Sequence, residues 1–320
     1  MFLSLTPNPC LERTLAVPDF APGATVRLTP NAIHESFGGK GINAARVCSR
    51  FGVPARAIAP LGPNLRAHLL GLARDDGIAL CVIETQAPTR VCQNIVSNAG
   101  STELLEAGHP LSVADGAALF AAWRDTLLGC ELAHIGGSYP PNAEPFWARH
   151  AAIVCSLASA AGVRVLYDGK GDAFARAVFS PAPPWGIKPN QREASELLGR
   201  SLDTPADERA AVRELRRRGI ELVMLSCGAR GCWVGFENEI AWFGAPRVET
   251  VSAVGSGDSL CGAFAAKWIQ TRDVWEAVRW GVAAGSANAA RFEAARVGPD
   301  EVAPLVAQVR RELGEIQLLG

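Results

Sequence analysis

The sequence has no uncharged apolar run near the roughly 20 residues that a membrane-spanning helix needs. Its N-terminus also lacks a basic segment followed by a long apolar one, because Pro7 and Pro9 interrupt it early, so we expect no signal peptide. Charge of one sign is not in excess: 31 Lys and Arg stand against 32 Asp and Glu, a net charge of −1. Since nucleic-acid-binding proteins usually carry a basic excess, we expect neither a membrane nor a nucleic-acid partner.

Metal-binding and disulfide patterns are absent from the sequence as well. None of the nine cysteines is spaced as C-x-x-C, and the five histidines form no H-x-x-x-H or H-E-x-x-H pair. Several cysteines lie in apolar runs such as Leu80-Cys81-Val82, where cysteine acts as a small hydrophobic residue. These absences predict a cytoplasmic protein with reduced cysteines and no zinc site.

The sequence does contain short apolar runs that alternate with amphipathic stretches. This pattern predicts an α/β fold with a central, mostly parallel sheet flanked by helices. The predicted core strands are residues 2–5, 55–59, 132–135, 163–167, 186–187 and 222–226. The predicted helices are 42–51, 65–75, 113–128, 145–160 and 207–218, then two nearly all-apolar helices at 258–271 and 274–292. Helices that are apolar all round are expected in the core of a large domain.

Two pairs of segments depart from this alternation. Residues 12–17 with 26–36, and residues 91–97 with 102–107, alternate polar and apolar side chains like exposed strands. We expect them to form a small β-sheet beside the main one, and a separate hairpin at 232–243. Because the sequence shows no internal repeat and no low-complexity linker, we predict one domain over residues 1–320. Its lid strands are inserted at about 12–36 and 90–107.

The most informative motif is the glycine-rich turn Val254-Gly255-Ser256-Gly257-Asp258, which precedes an apolar helix. Glycine lets the backbone turn sharply, and a helix N-terminus presents free N–H groups and about half a positive charge to an anion. An aspartate there would repel a phosphate, but it can take a proton from an attacking hydroxyl group. An ordinary helix N-cap would also use an aspartate, and spacing alone does not separate the two interpretations.

A second glycine-rich turn, Gly38-Gly39-Lys40-Gly41-Ile42-Asn43, opens another predicted helix. It is neither a P-loop, since no Ser or Thr follows Lys40, nor a G-x-G-x-x-G dinucleotide motif. One lysine and one asparagine on a glycine turn suit a phosphate or sugar hydroxyls. A plain strand-to-helix turn would explain the same residues.

Three weaker signals also precede or follow predicted strands. The glycine-containing loop at residues 226–231 would let a nucleotide approach the backbone closely, but it would also serve as a simple hairpin turn. Asn190 is suited to cap the helix that follows it. Asn190 and Glu193 also lie on one face of this predicted helix, where they could hold hydrated Mg²⁺. Arg90, in the second predicted lid pair, has the pattern of a solvated surface residue.

Taken in order, these motifs resemble the PfkB (ribokinase-like) carbohydrate-kinase family. Within it they are most similar to the sugar-phosphate branch, which includes 1-phosphofructokinases and tagatose-6-phosphate kinases. The two glycine turns correspond to the family's two signature stretches. The branch motifs T-L-N-P-x-[IL]-D, S-G-S-L-P-P, K-P-N-x-x-E and S-x-G-x-x-G have counterparts at 6–12, 136–141, 188–193 and 226–231. Residues 281–287 resemble the family's helix beside the adenine, so the resemblance covers nearly the whole chain.

The resemblance implies an ATP-dependent kinase with Mg²⁺, and a monovalent cation such as K⁺ as a further cofactor. It also implies a small β-lid that forms the contact of a homodimer. The favoured acceptor is fructose 1-phosphate, which would become fructose 1,6-bisphosphate. Tagatose 6-phosphate, fructose 6-phosphate and an unphosphorylated sugar or nucleoside are alternatives. A non-catalytic sugar- or nucleotide-binding protein on the same fold is an alternative of a different class.

The resemblance also implies a role for individual residues. Asp258 would be the catalytic base, and the anion hole would consist of N–H groups from Gly255, Ser256 and Gly257. The implied sugar-phosphate ligands are Glu12, Arg27, Gly39, Lys40, Asn43, Arg90 and Ser138. The implied nucleotide ligands are Lys188, Asn190, Ser226, Gly228, Gly231, Gly257, Gly285 and Asn288. Asn190 and Glu193 would organise Mg²⁺, largely through water.

Two residues depart from the family pattern. Glu12 stands where the first motif has aspartate, so its carboxylate reaches farther by about one carbon–carbon bond. Pro7 stands where that motif has leucine, which removes a backbone donor. Both changes fall on the sugar side, so they bear on the choice of acceptor and not on phosphoryl transfer.

Overall fold

The computed structural model describes residues 1–141 and 145–316. Its strands are β1 (Phe2–Leu5), β2 (Cys10–Ala16), β3 (Ile33–Gly38), β4 (Ala55–Leu61), β5 (Ala79–Glu84), β6 (Arg90–Ser97), β7 (Gly100–Leu105), β8 (Leu132–Gly136), β9 (Arg164–Asp168), β10 (Gly186–Ile187), β11 (Leu222–Ser226), β12 (Gly231–Phe236), β13 (Glu239–Gly244) and β14 (Arg310–Ile316). Its α-helices are α1 (Lys40–Arg50), α2 (Arg66–Asp75), α3 (Val113–Thr126), α4 (Pro145–Ala160), α5 (Gly171–Val178), α6 (Gln191–Leu198), α7 (Pro205–Arg217), α8 (Ser256–Thr271), α9 (Val274–Ala289) and α10 (Pro299–Val306).

Ten of the described strands form the main sheet, in the order β14-β13-β12-β11-β10-β9-β8-β1-β4-β5. The strands from β11 to β5 are parallel, and β12, β13 and β14 extend the sheet in antiparallel pairs. The chain moves from β1 toward β4 and β5, then returns to β8 on the other side of β1. In open α/β sheets such a change of direction marks the crevice where ligands bind, at the carboxyl ends of the strands.

Helices cover both faces of the main sheet. One apolar core contains side chains of α1, α2, α8 and α9, and the other contains side chains of α3, α4, α5 and α7. Alternating residues of β1 serve the two cores, because Phe2 belongs to the first core whereas Leu3 and Leu5 belong to the second. The two apolar helices at the end of the sequence are buried as predicted, and the α/β fold is confirmed.

The four other described strands form a small separate sheet in the order β3-β2-β6-β7. This confirms the predicted second sheet, but the strand predicted over residues 26–36 is wrong at its start. Pro30–Ala32 forms a short 3₁₀ helix, and β3 begins only at Ile33. The reason is that proline has no N–H group to donate to a neighbouring strand. The last strand, β7, also lies two residues earlier than predicted.

Several element bounds were not predicted from the pattern. Both α1 and α8 begin two residues earlier than expected, so that Lys40 and Ser256 already belong to the helices. The predictions lacked β5, β14, α5 and α10. Strand β14 has the sequence RRELGEI, and such a mostly charged edge strand gives no apolar pattern to detect.

The described residues contain no helix that is both long and apolar enough to cross a membrane. All nine cysteines are free. This includes Cys227 and Cys232, which lie at the β11–β12 end of the main sheet.

Gly136, at the end of β8, fixes how closely α1 approaches the main sheet. A Cβ at Gly136 would collide with the backbone N and Cα of Gly41. We therefore expect Gly136→Ala to lower the free energy of unfolding by about 2 kcal/mol or more, as overpacking does. Gly71→Ala on α2 is the matched control, because nothing lies within 4 Å of a Cβ there. Urea unfolding measures both variants, and an unchanged midpoint for Gly136→Ala would contradict the close approach.

Candidate active site

The N-termini of α1 and α8 meet at the carboxyl edge of the parallel strands. Asn43 on α1 donates a hydrogen bond from Nδ2 to Oδ2 of Asp258 on α8 at 2.8 Å, across 215 residues of sequence. Lys188, directly after β10, places its Nζ 3.1 Å from the point where a Cβ on Gly257 would lie. The fold therefore brings both glycine turns and the Lys188 motif into one cluster.

Asp258 is the buried acid at the centre of this cluster. It is 8% exposed. Burial, together with the nearby Asp168 carboxylate, raises the pKa of Asp258 to about 6, although the hydrogen bond from Asn43 acts in the opposite direction. A carboxylate whose pKa is near the working pH is suited to take a proton from a hydroxyl group.

The first turn of α8 forms an anion site beside Asp258. Gly255 is its N-cap with φ 79°, a conformation that side chains disfavour. The Ser256 N–H donates to the carbonyl of Ala253 at 3.2 Å, so the turn itself uses one of the three predicted anion-hole donors. Lys188 adds an ammonium group to the positive end of the helix. The anion site therefore combines a helix N-terminus with a buried cation.

Asp168, at the end of β9, pairs with two lysines. Its Oδ1 lies 2.7 Å from Nζ of Lys40, and its Oδ2 lies 3.2 Å from Nζ of Lys188. Burial would raise the pKa of Asp168, but the two lysines outweigh it and hold the pKa at about 2. Burial would lower the pKa of each lysine, but the Asp168 carboxylate outweighs it and raises both. All three groups are therefore charged at neutral pH.

Asn190 and Glu193 form the capping box at the start of α6. The Asn190 side chain accepts from the Glu193 N–H, and Glu193 Oε2 accepts from the Asn190 N–H, both at 2.9 Å. Glu193 Oε1 lies 3.2 Å from Nζ of Lys40. Within the described ranges, no group of three or more His, Cys, Asp or Glu side chains suits a metal ion. Mg²⁺ usually keeps several waters and needs only one or two protein carboxylates, and Glu193 fits that requirement.

The cluster contains more acids than bases. Its carboxyl groups belong to Glu12, Asp168, Glu193 and Asp258. Its ammonium groups belong to Lys40 and Lys188, and the ion pair of Arg46 with Asp76 beside them adds no net charge. Full ionisation would therefore leave an excess of 4 − 2 = 2 negative charges. Two protonated carboxyl groups or one divalent cation would remove this excess. This charge balance, in addition to the Glu193 carboxylate, is a reason why Mg²⁺ fits the site.

Glu12 faces the cluster from strand β2 of the small sheet. It is 7% exposed, and its Oε1 has no hydrogen-bond partner among the described residues. Its Oε2 lies 2.8 Å from the point where a Cβ on Gly38 would be, so a glycine there makes room for the longer acid. Burial is the main cause that raises the pKa of Glu12 to about 7. Glu12 can therefore exchange a hydrogen bond with a ligand hydroxyl in either protonation state.

Arg90 lies at a narrow cleft between the small sheet and the main sheet. Its guanidinium donates to the carbonyl of Glu106 at 2.7 Å and to the carbonyl of Asn8 at 2.9 Å. The cleft is also lined by Pro140, two residues after the half-buried Ser138. Two of the predicted phosphate ligands, Arg90 and Ser138, thus belong to neighbouring segments.

The remaining predicted sugar ligands lie in different surroundings. Lys40 forms ion pairs with Asp168 and Glu193. Gly39 is the N-cap of α1 with φ 116°, next to this lysine. Arg27 lies on the exposed segment between β2 and β3. The structure therefore brings Gly39 and Lys40 into the cluster, whereas Arg27 is solvent-exposed.

The predicted nucleotide ligands fall into two groups. Asn190 and Ser226 are neighbours, because they form an isolated parallel β-bridge at the strand ends. Gly228 begins a short 3₁₀ helix after β11, and Gly231 ends it with φ 136°. These four residues lie at the carboxyl ends of β10 and β11, which form one side of the Asp258 cluster.

Gly285 and Asn288 on α9 lie behind the α8 turn. A Cβ on Gly285 would be 3.2 Å from the Ser256 carbonyl oxygen. Asn288 is fully buried, and its Nδ2 donates to the Val254 carbonyl at 2.8 Å. Its Oδ1 accepts from the Ala295 N–H at 2.6 Å. In the structure, the Asn288 side chain therefore supports the turn and has no exposed atoms for a ligand.

Three residues in or beside the cluster were not among the predicted site residues. Asp168 directly follows the predicted strand 163–167, and an acid at the carboxyl end of a parallel strand is a signal for a site. Arg46 interrupts an apolar helix, and a charge at such a position signals a buried partner. That partner is Asp76, with its Oδ2 2.7 Å from Nε of Arg46. No sequence signal links the two residues.

Comparison with known proteins gives a consistent result. The family model described as pfkB family carbohydrate kinase matches residues 10–300. The chain is 32% identical over 293 residues to ATP-dependent 6-phosphofructokinase isozyme 2 of Escherichia coli strain K12, covering 89% of this chain and 91% of that protein. It is 30% identical over 290 residues to 1-phosphofructokinase of Haloferax volcanii, covering 89% and 90%. The solved tetrameric inhibited form of phosphofructokinase-2 from Escherichia coli has a TM-score of 0.86 at 29% identity, over 96% of this chain and 98% of that one.

The family match spans both glycine turns and every strand of the parallel sheet after β1. Together with relatives that cover most of the chain, it shows that this protein belongs to the pfkB family of carbohydrate kinases.

Proposed function

We propose that the protein is an ATP-dependent kinase that phosphorylates a hydroxyl group of a sugar phosphate. The favoured acceptor is fructose 1-phosphate, and the product is then fructose 1,6-bisphosphate. The observation that carries the proposal is the buried carboxyl group of Asp258 in the first turn of α8, with Lys188 beside the same turn. A protein that only binds a sugar or nucleotide has no need for a base at that position.

Fructose 6-phosphate is the second candidate acceptor. The Escherichia coli relative is named as a 6-phosphofructokinase, whereas the Haloferax volcanii relative is named as a 1-phosphofructokinase. The two identities are close, so they support both acceptors. Glu12 and Pro7 differ from the family pattern on the sugar side, and they are the first positions to examine for the choice.

Phosphoryl transfer on this site needs a base and an anion site. Asp258 takes the proton of the acceptor hydroxyl as the hydroxyl oxygen attacks the γ-phosphorus of ATP. The new oxygen–phosphorus bond forms while the bond from the γ-phosphorus to the bridging oxygen breaks, and its electron pair leaves with ADP. The α8 N-terminus and Lys188 stabilise the negative charge on the transferred group. Positioning and charge neutralisation are the main demands of this reaction.

Asn190 and Glu193 would hold Mg²⁺, largely through water. Bound with ATP, the ion supplies further neutralisation of the phosphate charge. A monovalent cation such as K⁺ is a further proposed cofactor.

We also propose that residues 1–320 form one kinase domain whose small sheet closes as a lid. Glu12 lies on this sheet and faces the cluster, so closure would exclude water from the acceptor. Leu104 and Leu105 on β7 are 53% and 57% exposed, and this apolar surface suits the contact of a homodimer. The enzyme is proposed to act in the cytoplasm.

ADP release from MgATP with a panel of acceptors tests the proposed function. The panel contains fructose 1-phosphate, fructose 6-phosphate, tagatose 6-phosphate, fructose and a nucleoside. We expect the highest kcat/KM with fructose 1-phosphate. Release that no acceptor raises above the ATP-only background would overturn the kinase and favour a binding protein on the same fold.

Substitution of Asp258 tests its proposed role as the base. We expect Asp258→Asn to bind ATP normally but to lose turnover by about 10²–10⁴-fold, because general-base catalysis contributes that much. Steady-state kinetics and ATP titration measure the two effects. Turnover within threefold of the wild type would refute the role of Asp258 as base.

The same variant separates chemistry from folding. Since the pKa of Asp258 is raised in the folded state from 3.8 to about 6, ionisation destabilises the folded protein as pH rises through that range. Asp258→Asn should therefore be more stable than the wild type above pH 6 and lose this advantage toward pH 4. Thermal unfolding at several pH values shows whether the inactive variant is folded.

Substitution of Arg90 tests its proposed contact with the acceptor phosphate. If its guanidinium holds the acceptor phosphate, Arg90→Ala should raise the KM for the sugar phosphate about tenfold or more, since charge-assisted hydrogen bonds contribute about 1.5–3 kcal/mol. The KM for ATP should stay within about twofold. Arg13→Ala on the same small sheet is the matched control, because Arg13 forms an exposed ion pair with Glu35. An equal loss with an unphosphorylated sugar would mean that Arg90 does not recognise the phosphate.

Substitution of Glu12 tests its proposed contact with the sugar. Glu12→Gln should weaken binding of the sugar phosphate, because it replaces one carboxylate oxygen with an amide nitrogen. In the wild type, Oε1 of this buried carboxyl has no hydrogen-bond partner among the described residues and is available to a sugar hydroxyl. Glu12→Asp should change the ratio of kcat/KM among the three sugar phosphates, since it withdraws the carboxylate by about one bond. Glu35→Gln, on the same small sheet, is the control and should leave the ratios unchanged. Identical acceptor profiles in both Glu12 variants would remove this residue from the acceptor site.

A further inference from the structure

Arg46 is a fully buried arginine on α1, one turn after Asn43. Its Nε donates to Oδ2 of Asp76 at 2.7 Å, and its Nη1 donates to Oδ1 of Asn43 at 2.7 Å. Its Nη2 donates to the carbonyl of Phe37. Asp76 is fixed from a second side, because its Oδ1 lies 3.1 Å from Nη2 of Arg296. The guanidinium is therefore held in one orientation, with one donor directed at Asn43.

This contact determines which way the Asn43 amide faces. A guanidinium can only donate, so the oxygen of Asn43 must face Arg46. Its Nδ2 then faces Asp258, to which it donates at 2.8 Å. Had the amide the opposite orientation, its oxygen would face the Asp258 carboxylate, and two acceptors would meet in a buried space. The orientation of Asn43 thus depends on a residue that does not itself contact Asp258.

We propose that Arg46, anchored by Asp76, is a positioning residue for Asp258: it orients the Asn43 amide, which in turn holds the Asp258 carboxylate toward the acceptor hydroxyl. This proposal rests on the proposed function. It adds a role for Arg46 and Asp76, which lie behind the substrate site.

The hydrogen bond from Asn43 also lowers the pKa of Asp258, against burial and the Asp168 carboxylate, which raise it. The other charged groups that face Asp258 are Lys40, Lys188 and Glu12. Among the described residues, the hydrogen bonds and the ion pair of Arg46 involve neither lysine. We therefore expect substitution of Arg46 to leave the ion pairs of both lysines with Asp168 in place. Arg46 itself lowers the pKa of Glu12, and its loss should raise the pKa of both acids.

Three variants separate positioning from folding. Arg46→Met removes the guanidinium but leaves Asp76 buried with less charge compensation, which should lower the thermal stability. Arg46→Met combined with Asp76→Leu removes both charges, and such an apolar replacement is often close to neutral for stability. Arg296, which also faces Asp76, keeps its ion pair with Glu293 in this variant. Arg46→Lys keeps the charge but lacks the fork that binds two partners at once. Arg13→Met, which breaks an exposed ion pair with Glu35, is the matched control.

We expect the single and the double Met variants to lose kcat by about 10–100-fold, because small misplacements of reacting groups have effects of that size. The acid limb of the pH profile of kcat/KM should move to higher pH, while the KM for ATP stays within twofold. Thermal stability should fall in Arg46→Met and recover in the double variant without recovery of kcat. Arg46→Lys should lie between the wild type and Arg46→Met, and Arg13→Met should match the wild type.

Recovery of kcat together with stability in the double variant would overturn the proposal, as would an unchanged acid limb in all three variants. A second readout does not depend on activity. Carbon-13 NMR of labelled aspartate should show the Asp258 carboxyl titrating at higher pH in Arg46→Met than in the wild type. If the wild type phosphorylates no acceptor, the proposed function fails, and the NMR titration alone decides whether Arg46 acts on Asp258.

Discussion

A shortage of cations around buried carboxyl groups is the constraint on which the rest of the site depends. Burying a charge costs several kcal/mol unless it is paired, and Asp168 takes the closest contacts of both lysines. Asp258 and Glu12 are left with weaker compensation. Their pKa values therefore rise to about 6 and about 7. Phosphoryl transfer to a hydroxyl group needs a base, and a carboxyl group that exchanges its proton near neutral pH can act as one.

The backbone keeps this unfavourable cluster together. The site lies where the chain changes direction between β1 and β8, so strand ends and helix N-termini converge there. Gly136 lets the start of α1 approach the end of β8, and Gly255 lets the chain turn sharply into α8. The Asn288 side chain stabilises that turn through hydrogen bonds to the backbone of Val254 and Ala295. Apolar packing of α8 and α9 supplies stability from outside the cluster, as is usual for sites that hold unfavourable charges.

Much of the fold was predictable because apolar periodicity reports burial directly. Strands β1, β10 and β11 have the predicted bounds, and the two all-apolar helices are buried. Strand β14 was not predictable, because its charged residues lie at a sheet edge. The position of Asp258 at a helix N-terminus was predictable from the glycine turn. The pairing of Lys40 with Asp168 was not, because it joins residues 128 positions apart. Arg46 and Asp76 likewise meet only through the tertiary fold, since Arg46 lies on α1 and Asp76 directly follows α2.

The most direct test of this account is the titration of the Asp258 carboxyl carbon in the free protein. Carbon-13 NMR of selectively labelled aspartate would identify this resonance by its absence from Asp258→Asn. The account predicts a midpoint near pH 6, because burial and Asp168 disfavour the charged form. A midpoint near the ordinary value of 3.8 would show that the carboxyl is well compensated. The charge shortage would then not explain how the site works.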